Sequence, residues 1–297
     1  MTVQDQRVPP ISQQMIDLYD EYTHLTLDRR SFMEKLTRLA GSAAAAAAIV
    51  PVIAANPARA AQVAPDDARL TTDQVSYPGS GGSMSGYLAM PASAGGKLPG
   101  VIVIHENRGL NPHIEDVTRR LALEGFVALA PDFLSPYGGT PADENAARDL
   151  FQKMDMKKTV GNAVATVAFL KADARTNGKV GAVGFCWGGG LVNQLAVSAP
   201  DLAAAVAYYG QQPDPAAVKN IKAKMMLHYA GLDERTNAGI LAFEDALKAA
   251  GVQFQIYIYD GVNHAFNNDT SEARYNKQAA DLAWSRTVAF LKDVLSS

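Results

Sequence analysis

The run Val180-Gly-Ala-Val-Gly184-Phe-Cys186-Trp-Gly188-Gly-Gly190 constrains the fold more than any other stretch of this chain, and it holds the single cysteine. A β-branched apolar strand runs directly into Gly-x-Cys-x-Gly, and a helical pattern from Leu191 to Val197 follows at once. A sharp strand-to-helix turn of this kind lifts one side chain above the edge of a sheet, and glycines on either side leave room for it. The helix N-terminus behind the turn favours negative charge on the sulfur and points free backbone N–H groups towards it. A lone cysteine is ordinarily a small buried hydrophobe. Here the flanking glycines and the strand–turn–helix setting favour a nucleophile. No Gly-Lys-Ser/Thr follows, so the run is not a phosphate loop.

The 297 residues suffice for one large α/β domain and an appendage. A formal net charge of −3, with no basic stripe interleaved with aromatics, argues against a nucleic-acid partner. The five histidines are scattered, no Cys/His cluster has zinc spacing, and no metal or cofactor is expected.

Residues 1–65 differ from the rest. Ile11 to His24 predicts a short amphipathic helix around Met15, Leu18, Tyr19 and Tyr22. Asp28-Arg29-Arg30-Ser31-Phe32-Met33 then precedes an alanine-rich apolar run from Ser42 to Ala55 and Ala58-Arg59-Ala60. Paired arginines, an apolar stretch and small-x-small read in order as a twin-arginine export signal cut near Ala60, which predicts a periplasmic protein. The alternative is a cytoplasmic enzyme with a retained N-terminal helix. The apolar run is too short for a permanent membrane span.

Residues 66–297 alternate between strand and helix patterns. Thr72–Tyr77 and Met84–Met90 predict an antiparallel pair, and Gly100–His105, Phe126–Ala130, Lys179–Phe185, Ala203–Tyr209, Met225–Ala230 and Phe254–Tyr259 predict further strands. Helices are expected at Pro112–Glu124, Ala142–Met154, Thr159–Asp173, Asn237–Ala250 and Ser271–Leu295. The alternation implies an α/β fold, a mostly parallel sheet covered by helices on both faces. Right-handed crossovers bring the strands' C-terminal ends to one edge, where sites form.

Three further residues fall at that edge: Glu106 after Gly100–His105, Asp233 after Met225–Ala230 and His264 after Phe254–Tyr259. Nucleophile, acid, histidine is the chain order of the α/β-hydrolase triad. In it Cys186 attacks a carbonyl carbon as thiolate, His264 moves the protons and Asp233 fixes the imidazole. The N–H groups of Trp187 and Asn107 are the expected oxyanion donors. Taken singly, His264 reads equally as a core or surface histidine, Asp233 as a helix N-cap, and Glu106 as an ion-pair partner of Arg108.

His105-Glu-Asn-Arg-Gly-Leu-Asn-Pro-His-Ile-Glu-Asp116, Glu124-Gly-Phe-Val-Ala-Leu-Ala-Pro-Asp132, Gly184-Phe-Cys-Trp-Gly-Gly189, Tyr208-Tyr-Gly210 and Asn263-His-Ala-Phe266 are similar to the signatures of the dienelactone hydrolase family. The resemblance covers about residues 72–295. It implies an α/β-hydrolase fold, a Cys186–His264–Asp233 triad, and a glutamate, Glu106, that holds the resting thiol and takes its proton when substrate arrives. The arginines with which family members hold the dienelactone carboxylate are missing from Ser135–Thr140 and from Ala265–Asp269. Arg108 and Arg274 are the nearby substitutes. Trp187, Tyr137 and Phe266 suggest an apolar acyl pocket, with core packing as their alternative role.

The expected protein is therefore a hydrolase of small carboxylic esters or lactones, acting through an acyl-thioester. Its partner is that small molecule, and its state as monomer or homodimer is left open. The competing readings are a non-catalytic binding protein of the same fold and a thiol redox sensor, the latter disfavoured by the missing second cysteine.

Overall fold

The computed structural model describes residues 10–24, 26–54 and 61–296. Its centre is an eight-stranded sheet in the order β1-β2-β4-β3-β5-β6-β7-β8. The strands are β1 (Leu70–Gly79), β2 (Gly82–Pro91), β3 (Leu98–Ile104), β4 (Val127–Asp132), β5 (Thr176–Phe185), β6 (Ala204–Tyr208), β7 (Lys224–Ala230) and β8 (Phe254–Tyr259). β1–β2 and β2–β4 pair antiparallel, and all later neighbours pair parallel.

The parallel strands are continuous apolar runs because both faces are covered. Successive residues point to opposite faces, so Ile102, Ile104 and Ala182 join one core while Val101, Val103 and Val183 join the other. The first core packs under α6 (Met156–Ala172), α7 (Trp187–Ser198) and α9 (Ile240–Ala249). The second packs under α4 (Pro112–Leu123) and α10 (Lys277–Ser296). The expected α/β architecture, with helices on both faces, is the one observed.

Several helix boundaries differ from expectation, and α6 starts at Met156, where Asp155 caps it, rather than at Thr159. The Asn237–Ala250 pattern is broken at Ala238–Gly239 into α8 (Glu234–Asn237) and α9, because the Asn237 amide turns back to donate to the Ala230 carbonyl. The first part of Ala142–Met154 is loop, and α5 (Glu144–Phe151) starts where Asp143 caps it. The last helix begins at Lys277 rather than Ser271. Residues 271–276 are held as turns, and Asn276 caps α10 by accepting from the Ala279 N–H.

The N-terminal segment folds as three helices, α1 (Gln13–Thr23), α2 (Arg29–Ala40) and α3 (Ala43–Ile53). They share a small core in which Tyr19, Tyr22, Phe32, Leu36, Ile49 and Ile53 are buried. Arg29 and Arg30 form the first turn of α2, which Asp28 caps by accepting from the Ser31 N–H. No single helix among the described residues is long and apolar enough to cross a membrane, and α2 and α3 meet at 107°. The expected cleavage point, Ala58-Arg59-Ala60, lies outside the described residues. The three helices sit on the C-terminal edge of the sheet. There Asn107 Nδ2 donates to the Thr23 carbonyl, and Ser271 Oγ donates to that of Ile53 at 2.9 Å.

Candidate active site

Cys186 sits between β5 and α7 with φ 57° and ψ −115°, a conformation L-residues adopt only under constraint. The flanking glycines supply the constraint. A Cβ on Gly184 would lie 2.2 Å from the Gly188 carbonyl oxygen, and one on Gly188 would lie 2.4 Å from that of Ile104. The turn is tightened further by the Cys186 N–H, which donates to Tyr208 O at 3.0 Å. As first residue of α7, Trp187 has an N–H with no acceptor inside the helix.

Asp233 and His264 meet as expected. His264 Nδ1 donates to Asp233 Oδ2 at 2.6 Å, while Asp233 Oδ1 accepts from the Thr236 N–H at 3.0 Å. One carboxylate thus meets the His264 ring and caps α8, the two placements the sequence suggested for Asp233. Burial penalises its charge, but His264 and the Thr236 donors outweigh that and bring it down to about 2. Burial also disfavours the His264 imidazolium, and the carboxylates of Asp20 and Asp233 reverse this, so its pKa lies above the usual histidine value.

The direct Cys186–His264 hydrogen bond is not formed. His264 Nε2 is buried and has no hydrogen-bond partner among the described residues. The sulfur pairs instead with His24 Nε2, at 3.3 Å, from the residue that ends α1. The two imidazoles meet edge to face with centroids 4.7 Å apart. His24 Nδ1 donates to the Asp20 carbonyl oxygen at 2.8 Å and lies 3.3 Å from its carboxylate, which is itself 3.6 Å from Arg235. Burial works against a charged His24, but the Cys186 sulfur and Asp20 raise it to about 9.

Glu106 lies in the loop after β3, where Oε2 accepts from Asn268 Nδ2 at 2.9 Å. It borders the same narrow recess as Cys186, yet the sulfur's hydrogen bond goes to His24 rather than to Glu106. Neighbouring His105 is fully buried. Its Nδ1 donates to the Glu106 carbonyl, Nε2 accepts from the Phe133 N–H, and the ring stacks on Trp187. Burial lowers its pKa, which makes it a neutral prop for the loop that carries Glu106 and Asn107.

A cavity of about 330 Å³ opens beside the sulfur, lined by His24, Asn107, Cys186, Trp187, Tyr209 and Arg235 among others. Phe151, Met156 and Leu191 add apolar wall. The expected pocket residues fare differently. Tyr137 lies on the surface, outside this cavity, because its hydroxyl is tied to the Lys153 carbonyl and the Asp155 N–H. Phe266 is core, packed on Tyr208, Tyr209 and Tyr259. Arg108 reaches Glu144, and Arg274 lies 5.1 Å over the Tyr19 ring, so both arginines border a narrow recess that Tyr19 and Thr23 of α1 also line.

Among the described residues, two trios have donor atoms within 4.8 Å of one another: His24, Cys186 and His264, and Asp20, Asp233 and His264. A cation could be shared only at those trios, and the His24 and Asp233 atoms are already engaged in the bonds above. Sequence reasoning missed Asp20 and His24. They are four residues apart on a helix end, and nothing local shows that this end docks on Cys186.

The family model described as "Dienelactone hydrolase family" matches residues 84–295, and one described as "YqhI-like" matches residues 5–41, the stretch that includes α1 and α2. A protein of Escherichia coli O157:H7, provisionally named a carboxymethylenebutenolidase, is 33% identical over 77% of this chain and 89% of its own. "Protein usf" of Aquifex pyrophilus is 38% identical over 75% of this chain and 98% of its own. A Klebsiella pneumoniae crystal structure, provisionally named a dienelactone hydrolase, superposes with TM-score 0.67 at 28% identity, over 74% of this chain and 97% of its own. Fold, elbow and sequence likeness agree: this chain belongs to the dienelactone hydrolase family and is a hydrolase.

Proposed function

We propose that the protein hydrolyses small carboxylic esters or lactones through a Cys186 acyl-thioester. The observation that carries this reading is the elbow itself. Cys186 is held at a left-handed φ beside the N–H of Trp187, which has no acceptor inside α7, and it lines a cavity within reach of the Asp233–His264 pair. The thiolate attacks the carbonyl carbon, and the oxyanion is met by the N–H groups of Trp187 and Asn107. The C–O bond breaks, and the alkoxide leaves as the alcohol by taking the proton that the thiol gave to the active-site imidazole. Water activated by His264 then cleaves the thioester. The apolar cavity wall and the engaged Arg108 and Arg274 favour uncharged acyl groups over an anionic lactone.

The test is turnover of a panel of aryl esters and small lactones, cis-dienelactone included, by wild type and Cys186→Ala. The reading expects loss of all turnover in the variant; full activity in it would end the reading. A binding protein would turn over nothing, and a redox sensor would consume peroxide in step with loss of free thiol. Periplasmic location by twin-arginine export, carried by Arg29-Arg30, is a separate proposal. Cell fractionation with and without replacement of both arginines by lysine tests it. Cleavage near Ala60 would remove His24 with the rest of the segment, so the mass of the protein isolated from cells decides whether residues 1–60 act as a removed signal or stay as part of the site.

A further inference from the structure

We infer that His24, supplied by the N-terminal helical segment, is a catalytic residue that ionises Cys186, and that the two active-site histidines divide the reaction between them. The inference rests on the thioester reading above and assigns the proton steps within it.

Three observations carry it. First, among the described residues the imidazole hydrogen-bonded to the sulfur is His24, at 3.3 Å, while His264 Nε2 is buried with no partner there. Second, the hydrogen-bond pattern fixes the tautomer. The Asp20 carbonyl can only accept, so His24 Nδ1 carries a hydrogen and Nε2 is the atom free to take the thiol proton. The Asp20 carboxylate stabilises the imidazolium that results: its Oδ2 lies 3.3 Å from His24 Nδ1 and 3.6 Å from Arg235. Asp20–His24 resembles Asp233–His264 in setting an aspartate beside Nδ1, although here the shorter contact is with the backbone carbonyl and the carboxylate stands at 3.3 Å. Third, the segment is seated rather than draped. Tyr22 stacks on Phe32 with centroids 4.5 Å apart, lies under Arg148, and its hydroxyl reaches Asn145 at 3.0 Å, while His24 itself forms part of the cavity wall. The cavity beside Cys186 stays open with the segment in place.

The steps balance as follows. The thiol proton moves to His24 Nε2, giving the thiolate–imidazolium pair. The thiolate forms the C–S bond, the C–O bond breaks, and His24 returns the proton to the departing oxygen. His264 Nε2, which has no other partner among the described residues, then takes a proton from water as the hydroxide adds to the thioester. The thiolate is expelled, the carboxylic acid gives its proton to His24, and His264 releases its own to solvent. Two histidines spare one imidazole from serving the thiol and the water in turn.

The experiment uses the full-length chain and p-nitrophenyl acetate, with acylation read as the pre-steady-state burst and deacylation as decay of the acyl-enzyme. The account expects His24→Ala to slow acylation about 10²-fold or more, with deacylation little changed. His264→Ala should do the reverse and let the acyl-enzyme accumulate. Iodoacetamide should alkylate the thiol of His24→Ala at least about tenfold more slowly at pH 7, the thiolate being the reacting form. His24→Gln, which keeps a hydrogen-bonding side chain without a titrating one, should not restore either rate, whereas a merely structural role would be rescued by it. Unchanged acylation in His24→Ala would overturn the inference, and so would faster acylation, which would make the segment a shield. If His24→Ala fails to fold, Asp20→Asn reports on the same pair and should slow acylation in the same direction. Absence of any acyl adduct in wild type would sink the thioester reading instead, and the alkylation rates would still decide the His24–Cys186 pairing.

Discussion

Asp233 meets His264 through Oδ2 at 2.6 Å and caps α8 through Oδ1, so one carboxylate fixes both a ring and the loop that carries itself. Orientation of the imidazole and order of the β7–α8 turn are therefore coupled.

Asp233→Asn should keep much of the cap, because an amide oxygen also accepts from the Thr236 N–H, but it loses the charge that sets the His264 tautomer. Steady-state turnover is expected to fall by about 10²–10⁴-fold while stability changes by under about 1 kcal/mol. Asp233→Ala should lose both. Chemical denaturation beside ester kinetics separates the two effects, and equal activity of Asn and wild type would contradict the assignment.

Gly188→Ala places a methyl against the Ile104 and His105 carbonyls, at 2.4 and 2.5 Å, and neither is the free end of a flexible side chain. The elbow must shift or the helix must move. Thermal denaturation is expected to show a loss of several degrees, in line with about 1–3 kcal/mol for overpacking, with activity lost in the fraction that still folds. Gly190→Ala, whose nearest contact is 3.4 Å, is the control that should be tolerated.

Docking of α1 should depend on pH through His24. Its pKa when docked, about 9, lies above the usual histidine value of 6.5, so the docked state binds the proton more tightly. That contribution is complete below about pH 6.5 and is lost as the pH rises through about 9. Burial opposes it, and Cys186 and Asp20 sustain it. Amide exchange of Gln13–Thr23, corrected for the intrinsic rate, should show protection that declines over that window. In His24→Gln the decline should vanish, and a decline that persisted there would assign it to another group.

Much of the domain was legible in the sequence because its signals are local. A continuous apolar run such as Gly100–Ile104 marks a strand buried on both faces, and the glycines around Cys186 mark a turn no other residue fits. Chain order then brought Asp233 and His264 to one edge. The partner of the sulfur was not legible. His24 reaches Cys186 across 162 positions, and only the packing of Tyr19, Tyr22 and Phe32 over the sheet edge brings it there. Tyr137 and Phe266 show the same gap. An aromatic near the site in sequence points to cavity, core or solvent according to tertiary contacts that its neighbours do not encode. The break at Ala238–Gly239 escaped because the Asn237 side chain finds its acceptor on β7.

The account stands most directly on whether Cys186 becomes acylated during turnover. Wild-type protein mixed with p-nitrophenyl acetate and quenched in acid within the burst should gain the mass of one acetyl group, located on Cys186 by peptide mapping. The adduct should decay at the rate of steady-state turnover and be absent from Cys186→Ala. Turnover without that adduct, or with an adduct on another residue, would contradict the account.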